Sequence, residues 1–372
     1  MDRIDIFTQF SKHYSHENYT AKQLHAALNR LGIPSKHLCL QEGNLGEYLK
    51  YFRKEPPKCT LSFVDLFVGN GLLCDELQAP HFFWSRKGLS DSLHYLSRPL
   101  GWVGIADHAL YQQMTRWGYP RTTFLPPGID ASLIGLPEEE RCYDVIFFDD
   151  LVDTEFLERV WKDVFLSEEL VILYRCLQEC QSQALSPLEA LFRELARRGM
   201  KLSEIQFAEM LTAIESYLKA DYTRKGIESL TCNRIDVFGD HVGSNWLKKL
   251  KNGRNVYLHG ALPYTEHFEV LKRSKILVRT PGPSSTHFDE WVLPALIQGC
   301  MVLQPDSHFS RQLCDELEEG FYAFEAVALN NLVNRHLKQR KSTLNMLQGI
   351  REKIIEKNTW EARALKLLEI FP

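Results

Sequence analysis

The sequence predicts an α/β protein of two Rossmann-like, doubly wound domains, and three observations carry that reading. A chain of 372 residues exceeds what one core ordinarily holds, at roughly 100 to 200 residues per domain. Short apolar runs alternate with amphipathic segments in both halves, with glycine or proline at the exchanges, the mark of parallel βαβ units. Between the halves, residues 130–142 combine proline, glycine and the acidic run Glu138-Glu139-Glu140, which suits a linker.

Residues 4–10 read as the first strand, followed by a polar loop over 11–18 and a helix carrying Leu24, Ala27, Leu28 and Leu31 on one face, stopped by Gly32. Residues 61–68 form the second apolar run, ending in Gly69-Asn70-Gly71, and 80–84 the third. The fourth, 102–106, leads into a helix over 111–117, and 122–125 closes the half before Pro126-Pro127-Gly128. Beyond the linker, 143–148 is a buried strand with an acidic exit at Asp149, Asp150 and Asp153, and a mostly helical stretch follows. Ser186-Pro187-Leu188-Glu189 has capping-box spacing with proline at the first helical position, and Ser203 to Gln206 repeats the logic, so two consecutive helices are expected there. Alternation then resumes: strand 235–238, helix 245–250, strand 255–259, helix 264–273, strand 275–279, a loop over 280–289, helix 290–298 and strand 301–304. Residues 359–370 form a final amphipathic segment.

Composition removes several function classes. A hydrophobic share of 44% and a charged share of 25% are those of an ordinary folded chain. A net charge of −4 provides no global positive field for nucleic acid or an anionic membrane. No run reaches the apolar length of a membrane span, and the opening MDRIDIFTQF lacks the pattern of a secretion signal, so a cytoplasmic protein is expected. The nine cysteines are odd in number and sit mostly in apolar runs, as reduced core residues do; Cys176 and Cys180 share a helix face without a second pair to complete a zinc site. There is no phosphate-loop motif, Gly69-Asn70-Gly71 lacks the third glycine of a dinucleotide fingerprint, and no Gly-x-Ser-x-Gly elbow occurs. No Asp-x-Asp triplet is present to hold a divalent ion on a diphosphate. Any diphosphate is therefore expected to be bound without metal.

Metal-free binding needs converging backbone N–H groups, and the stretch from Thr280 to Glu290 offers a strand-to-helix turn containing Gly282, Ser284, Ser285, Thr286 and His287. In an open α/β sheet this is the edge where ligands sit. The alternative is a surface loop in which Thr286 or His287 caps a helix. Glu290, at the helix start, is a candidate for contact with a sugar hydroxyl, and Gly260 with Tyr264 is a candidate enclosure for a nucleobase, against a plain packing role. In the first half His13 and His16 follow the first strand, where a general base would face a cleft; a solvated loop histidine is the alternative.

These residues also resemble a family. Leu258-His-Gly-Ala-Leu-Pro-Tyr264, the run from Leu271 to Val278, and the run from His287 to Leu303 resemble the donor domain of GT-B glycosyltransferases, nearest to the spore-maturation-like (CgeB-like) group. Trp102 to Asp107, Trp117-Gly-Tyr-Pro120 and Phe124 to Asp130 are similar to the segment closing the acceptor domain of that fold, and Asn358 to Arg363 to its tail. The resemblance implies two domains facing across a cleft. An acceptor-side domain spans 1–130, a linker 131–142, and a nucleotide-sugar domain 143–355 with a helical insertion at 186–230; a tail over 356–372 returns to the first domain. It implies transfer of a sugar from a nucleotide-sugar co-substrate to a glycan, protein or small-molecule acceptor, with no other cofactor. His16 and Glu290 are then the catalytic candidates, and Gly260, Tyr264, Gly282, Ser284, Ser285, Thr286 and His287 the donor contacts. Trp291 stands where relatives carry a basic residue, and Pro294 where many carry a ribose-binding carboxylate. Those two departures support an alternative, a catalytically silent relative that binds a nucleotide or glycan.

Overall fold

The computed structural model describes residues 3–9, 16–40, 45–64, 66–68, 71–85, 93–96, 98–183, 185–242, 246–250, 253–280, 289–305, 321–322 and 326–370. The first domain contains strands β1 (Ile4–Gln9), β2 (Ser35–Leu40), β3 (Cys59–Ser62), β4 (Phe67–Val68), β5 (Gly71–Leu72), β6 (His81–Ser85), β7 (Gly101–Ile105) and β8 (Thr122–Phe124). Its helices are α1 (His16–Arg30), α2 (Leu45–Lys54), α3 (Leu73–Leu77), α4 (Leu93–Leu96) and α5 (His108–Arg116). Six of these strands form one parallel sheet in the order β2-β1-β3-β6-β7-β8, while β4 and β5 make a small antiparallel hairpin. Ile4 to Thr8 are all buried, as a parallel strand covered on both faces requires.

The second domain contains β9 (Tyr143–Phe148), β10 (Leu151–Val152), β11 (Ile235–Phe238), β12 (His241–Val242), β13 (Val256–His259), β14 (Ser274–Val278), β15 (Met301–Pro305) and β16 (Phe321–Tyr322). Its parallel sheet runs β13-β11-β9-β14-β15-β16, and β10 pairs with β12 as a separate two-stranded parallel sheet. The helices are α6 (Thr154–Val164), α7 (Ser167–Gln183), α8 (Pro187–Arg198), α9 (Glu204–Ser229), α10 (Trp246–Lys249), α11 (Glu266–Lys272), α12 (Val292–Ile297), α13 (Ala326–Lys338), α14 (Arg340–Asn358) and α15 (Trp360–Ile370).

The doubly wound architecture expected from the alternation is present in both halves, with local differences. The edge strand β2 and helix α2 were not anticipated, because the first half of Ser35 to Leu40 is the polar run Ser35-Lys36-His37 and the strand is only half-buried, so no apolar run marks it. The expected strand over 61–68 stops at Ser62, and Phe67–Val68 turns back in the hairpin instead. The loop expected through residue 18 ends before His16, which opens α1 and is buried. The helical stretch is longer than 186–230: α6 to α9 occupy Thr154 to Ser229. Its caps follow the sequence logic, Ser203 and Gln206 forming a reciprocal capping box and Ser186 accepting from the Glu189 N–H with Pro187 in the first turn.

These four helices lie between β9 and β11 in sequence, yet their core joins the first domain. Trp161, Ile172, Leu191, Met210 and Ile214 share one apolar cluster with Phe83, Val103, Ile105 and Met114, and Trp117 meets Phe192 edge to face at 5.2 Å. Cys176 and Cys180 are buried in that cluster, where desolvation pushes both thiols up to about 12. Among the described residues no helix is long and apolar enough to cross a membrane.

The chain returns to the first domain at its end. Trp360, Ala364 and Leu367 of α15 lie in the first domain's core, against α1 and the Trp84 ring. Thr359 bridges to Ile129, Arg363 donates to the Pro127 carbonyl at 3.3 Å, and a Cβ on Gly128 would sit 2.7 Å from the Trp360 ring. Trp360→Ala should cost about 3–5 kcal/mol of unfolding free energy, read from urea titrations, because it empties the seat that clasps the two ends of the first domain; a loss under about 1 kcal/mol would show that α15 is not anchored there.

Candidate functional site

Each sheet has a place where the strand order reverses, and open α/β sheets bind ligands at the carboxyl ends of the strands there. In the first sheet that point lies between β1 and β3, and β1 feeds α1. In the second it lies between β9 and β14. The structure brings the two together. His16, the first residue of α1, places Nε2 2.6 Å from Oε2 of Glu290, which stands just ahead of α12. The ring nitrogen is 3.2 Å from the Thr20 hydroxyl as well. The short approach to a carboxylate oxygen assigns the proton to Nε2.

Around this pair the contact between the domains is aromatic. Tyr264 meets His16 edge to face at 4.7 Å and Tyr19 at 5.2 Å, and Tyr19 also meets Phe268 at 5.2 Å. Trp291 lies 4.6 Å from Tyr264 and stacks on His267 at 4.6 Å and 14°, with Phe148 and Phe268 against its edges. Burial holds the His267 imidazole below its ordinary pKa, so the ring packs as a neutral aromatic. Tyr264, expected beside a nucleobase, thus has its ring in the buried seam between the domains. Gly260 is exposed just past β13, with no atom within 4 Å of where a Cβ would sit. Gly282, Ser284, Ser285, Thr286 and His287, like His13, lie outside the described residues.

At the second reversal point the structure shows a charge network that the sequence reading did not single out. Arg279, just past β14, donates to the Phe148 carbonyl at 2.5 Å, lies 3.4 Å from Asp149 Oδ2, and pairs with Asp289. Burial opposes its charge, but the carboxylates of Asp149 and Asp289 outweigh that and hold its pKa above the ordinary value. Lys219 of α9 reaches Asp149 Oδ1 at 3.1 Å, and that carboxylate raises the ammonium pKa. Asp289 spends its other oxygen on the Trp291 N–H at 2.9 Å. This turn delays the helix expected from residue 290, so α12 begins at Val292 and is six residues long. One signal marked Arg279 in the sequence: an arginine closing the apolar run Ile276-Leu277-Val278 must find partners where it is buried. Further along the same edge His259 is 2.7 Å from the buried Asp236 and stacks on Phe238 at 4.3 Å. Among the described residues no group of three or more His, Cys, Asp or Glu side chains is arranged to hold a metal.

The fold has solved counterparts. Sucrose-phosphate synthase from Thermosynechococcus elongatus is 12% identical with a TM-score of 0.59, over 100% of this chain and 98% of that one. An alpha-glucosyltransferase in complex with UDP and a 13-mer DNA is 8% identical with a TM-score of 0.56, over 100% and 99%. T4 phage BGT in complex with UDP and Mn2+ is 10% identical with a TM-score of 0.55, over 99% of both chains. No family model and no curated protein matches the sequence. The chain therefore has the GT-B arrangement of two Rossmann-like domains, and at such identities the likeness is one of fold.

Arg279→Leu should cost about 3–5 kcal/mol in guanidinium unfolding, because it strands Asp149 and Asp289 near the core, and Arg279→Lys should recover only part of the loss because an ammonium cannot fork between them. A leucine variant as stable as the parent would remove the network from any account of the site.

Proposed function

We propose that the chain is a glycosyltransferase, moving a sugar from a nucleotide-sugar donor on the second domain to an acceptor on the first. The single observation that carries this is the 2.6 Å approach of His16 to Glu290, one from each reversal point. Two-substrate transfer requires reacting atoms held roughly 3–3.5 Å apart, and the two strand-order reversal points, where open α/β sheets bind ligands, meet at that contact. In this reading the acceptor hydroxyl attacks the anomeric carbon, its proton passes to His16, and the nucleoside diphosphate leaves with the electrons of the broken bond. Glu290 orients the imidazole and stabilises its protonated form.

The donor diphosphate is assigned to the ends of β9 and β14 and to the Gly282, Ser284, Ser285, Thr286 and His287 segment, with exposed Gly260 toward the base and Tyr264 packed in the seam beside it. The sequence supports this through the small residues that let backbone N–H groups converge on an anion. Lys219, Arg279, Asp149 and Asp289 balance in charge, so they hold the strand ends in place without supplying a net charge to the ligand. We propose that no divalent ion is required, and UDP, present with two of the similar structures, is the first nucleotide to test. The acceptor is a glycan, a protein or a small molecule. Buried thiols such as Cys59 and Cys300 support a reducing, cytoplasmic setting. At the family level the sequence patterns support the spore-maturation-like group.

A second reading, a silent relative that binds without transferring, is favoured by the burial of Trp291 and Pro294, which puts an aromatic ring and an apolar pyrrolidine ring where many relatives carry charge. Calorimetry with UDP, UDP-sugars and other nucleotide sugars, in parallel with an assay for slow donor hydrolysis, separates the two. Binding with hydrolysis that persists in a chelator is the expected result. Ser285→Asp and Glu290→Ala should each weaken binding about tenfold or more. Binding without turnover would establish the silent relative, restoration of activity by manganese would overturn metal independence, and no binding by any nucleotide would overturn the assignment.

A further inference from the structure

We propose that the inserted helix α9 is a positioning element for the donor end of the second domain, with Lys219, Thr223 and Gly226 as its working face; the inference rests on the donor assignment above. Residues spaced by four and then three lie along one side of a helix. Here all three meet the ends of the two strands that flank the reversal point. Lys219 holds Asp149 at the end of β9. The Thr223 hydroxyl is 2.9 Å from that of Thr280 at the end of β14, and both side chains are buried. A Cβ on Gly226 would lie 2.7 Å from the Thr280 Cγ2, so the helix approaches this strand end at a distance that glycine alone permits.

The other half of α9 is bound elsewhere. Met210, Leu211, Ile214 and Leu218 belong to the cluster shared with the first-domain residues Val103, Ile105 and Met114. A helix of 26 residues is about 39 Å long, so one unbroken rod is seated at one end in a core that includes the acceptor side and at the other on Thr280 and Asp149. α9 therefore positions Arg279 and Thr280 rather than touching the reacting atoms.

The test uses the full chain and two readouts: amide hydrogen exchange of the segment 276–280, which needs no ligand, and UDP affinity by calorimetry. Gly226→Ala should speed exchange there and weaken UDP about fivefold or more, by pushing Thr280 aside. Adding Thr280→Ser, which removes the colliding methyl and keeps the hydroxyl, should restore both. Thr223→Val, of the same size, should move both readouts in the same direction and serves if the alanine variant does not fold. Leu211→Ala, which loosens the insertion's core, should lower thermal stability while leaving exchange at 276–280 and UDP affinity at parental values. Unchanged exchange in Gly226→Ala and Thr223→Val, failure of Thr280→Ser to rescue, or equal effects from Leu211→Ala would overturn the role of α9. A parent chain that binds no UDP while the exchange pattern follows expectation would instead count against the donor assignment and leave the positioning of the strand ends standing.

Discussion

One buried guanidinium sets the terms for the carboxyl edge of the second sheet. Taking a charge out of water costs several kcal/mol, and the surroundings must repay it with well-aimed partners. Arg279 obtains them from the Phe148 carbonyl, Asp149 and Asp289, which belong to the end of β9 and to the segment leading into α12. Asp149, itself almost wholly buried, then needs a second cation, and Lys219 brings α9 to it. Four charged groups from four segments thus determine one another's positions, and they do so where the strand order reverses and the sheet edge opens. A neutral network of this kind contributes little net stability against an apolar replacement; its effect is to fix geometry.

The two domains are joined by means other than charge. The crossing from α14 to α15 is covalent and ends in a buried tryptophan seat. The insertion from α6 to α9 shares a core with the first sheet. The third contact is the aromatic seam of Tyr19, Tyr264, Phe268 and Trp291, whose large faces bury area, with Tyr19, Tyr264 and Trp291 meeting at tilted angles and Phe268 edge to face on Trp291. Together these leave His16 and Glu290 facing each other at a defined separation, because neither helix start can slide without unpacking rings on both sides.

The sequence made the architecture legible because parallel sheets buried on both faces leave near-continuous apolar runs, such as Val145-Ile146-Phe147-Phe148 and Ile276-Leu277-Val278, separated by helices of different period. Edge elements escaped for the same reason: Ser35 to Leu40 lies at a sheet margin and shows no such run. His16 and Glu290 were each named as candidates, but their meeting was invisible, since they are far apart in sequence and nothing local states which loop faces which. Arg279, Asp149 and Lys219 were missed more deeply. An arginine at a strand end, an aspartate in an acidic turn and a half-exposed lysine on a long helix carry no local sign of one another, and only the fold shows that they form one charge network.

The pairing of His16 and Glu290 also has an energetic side. Glu290 keeps about a fifth of its side chain in water, while His16 is nearly closed off. For such a contact the gain is that of one charge-assisted hydrogen bond from a neutral imidazole to a carboxylate, and it is offset by desolvating both groups. The net contribution to holding the domains together is therefore small beside the aromatic seam and the covalent crossing. What the pair sets is direction. The carboxylate fixes the imidazole's orientation and tautomer, and the ring in turn fixes the carboxylate just ahead of α12. A polar ligand that came between them would exchange one charge-assisted hydrogen bond for another on each side, at little cost in domain stability. An exchange of that kind suits the two-substrate transfer proposed for this contact, since it leaves the core closed.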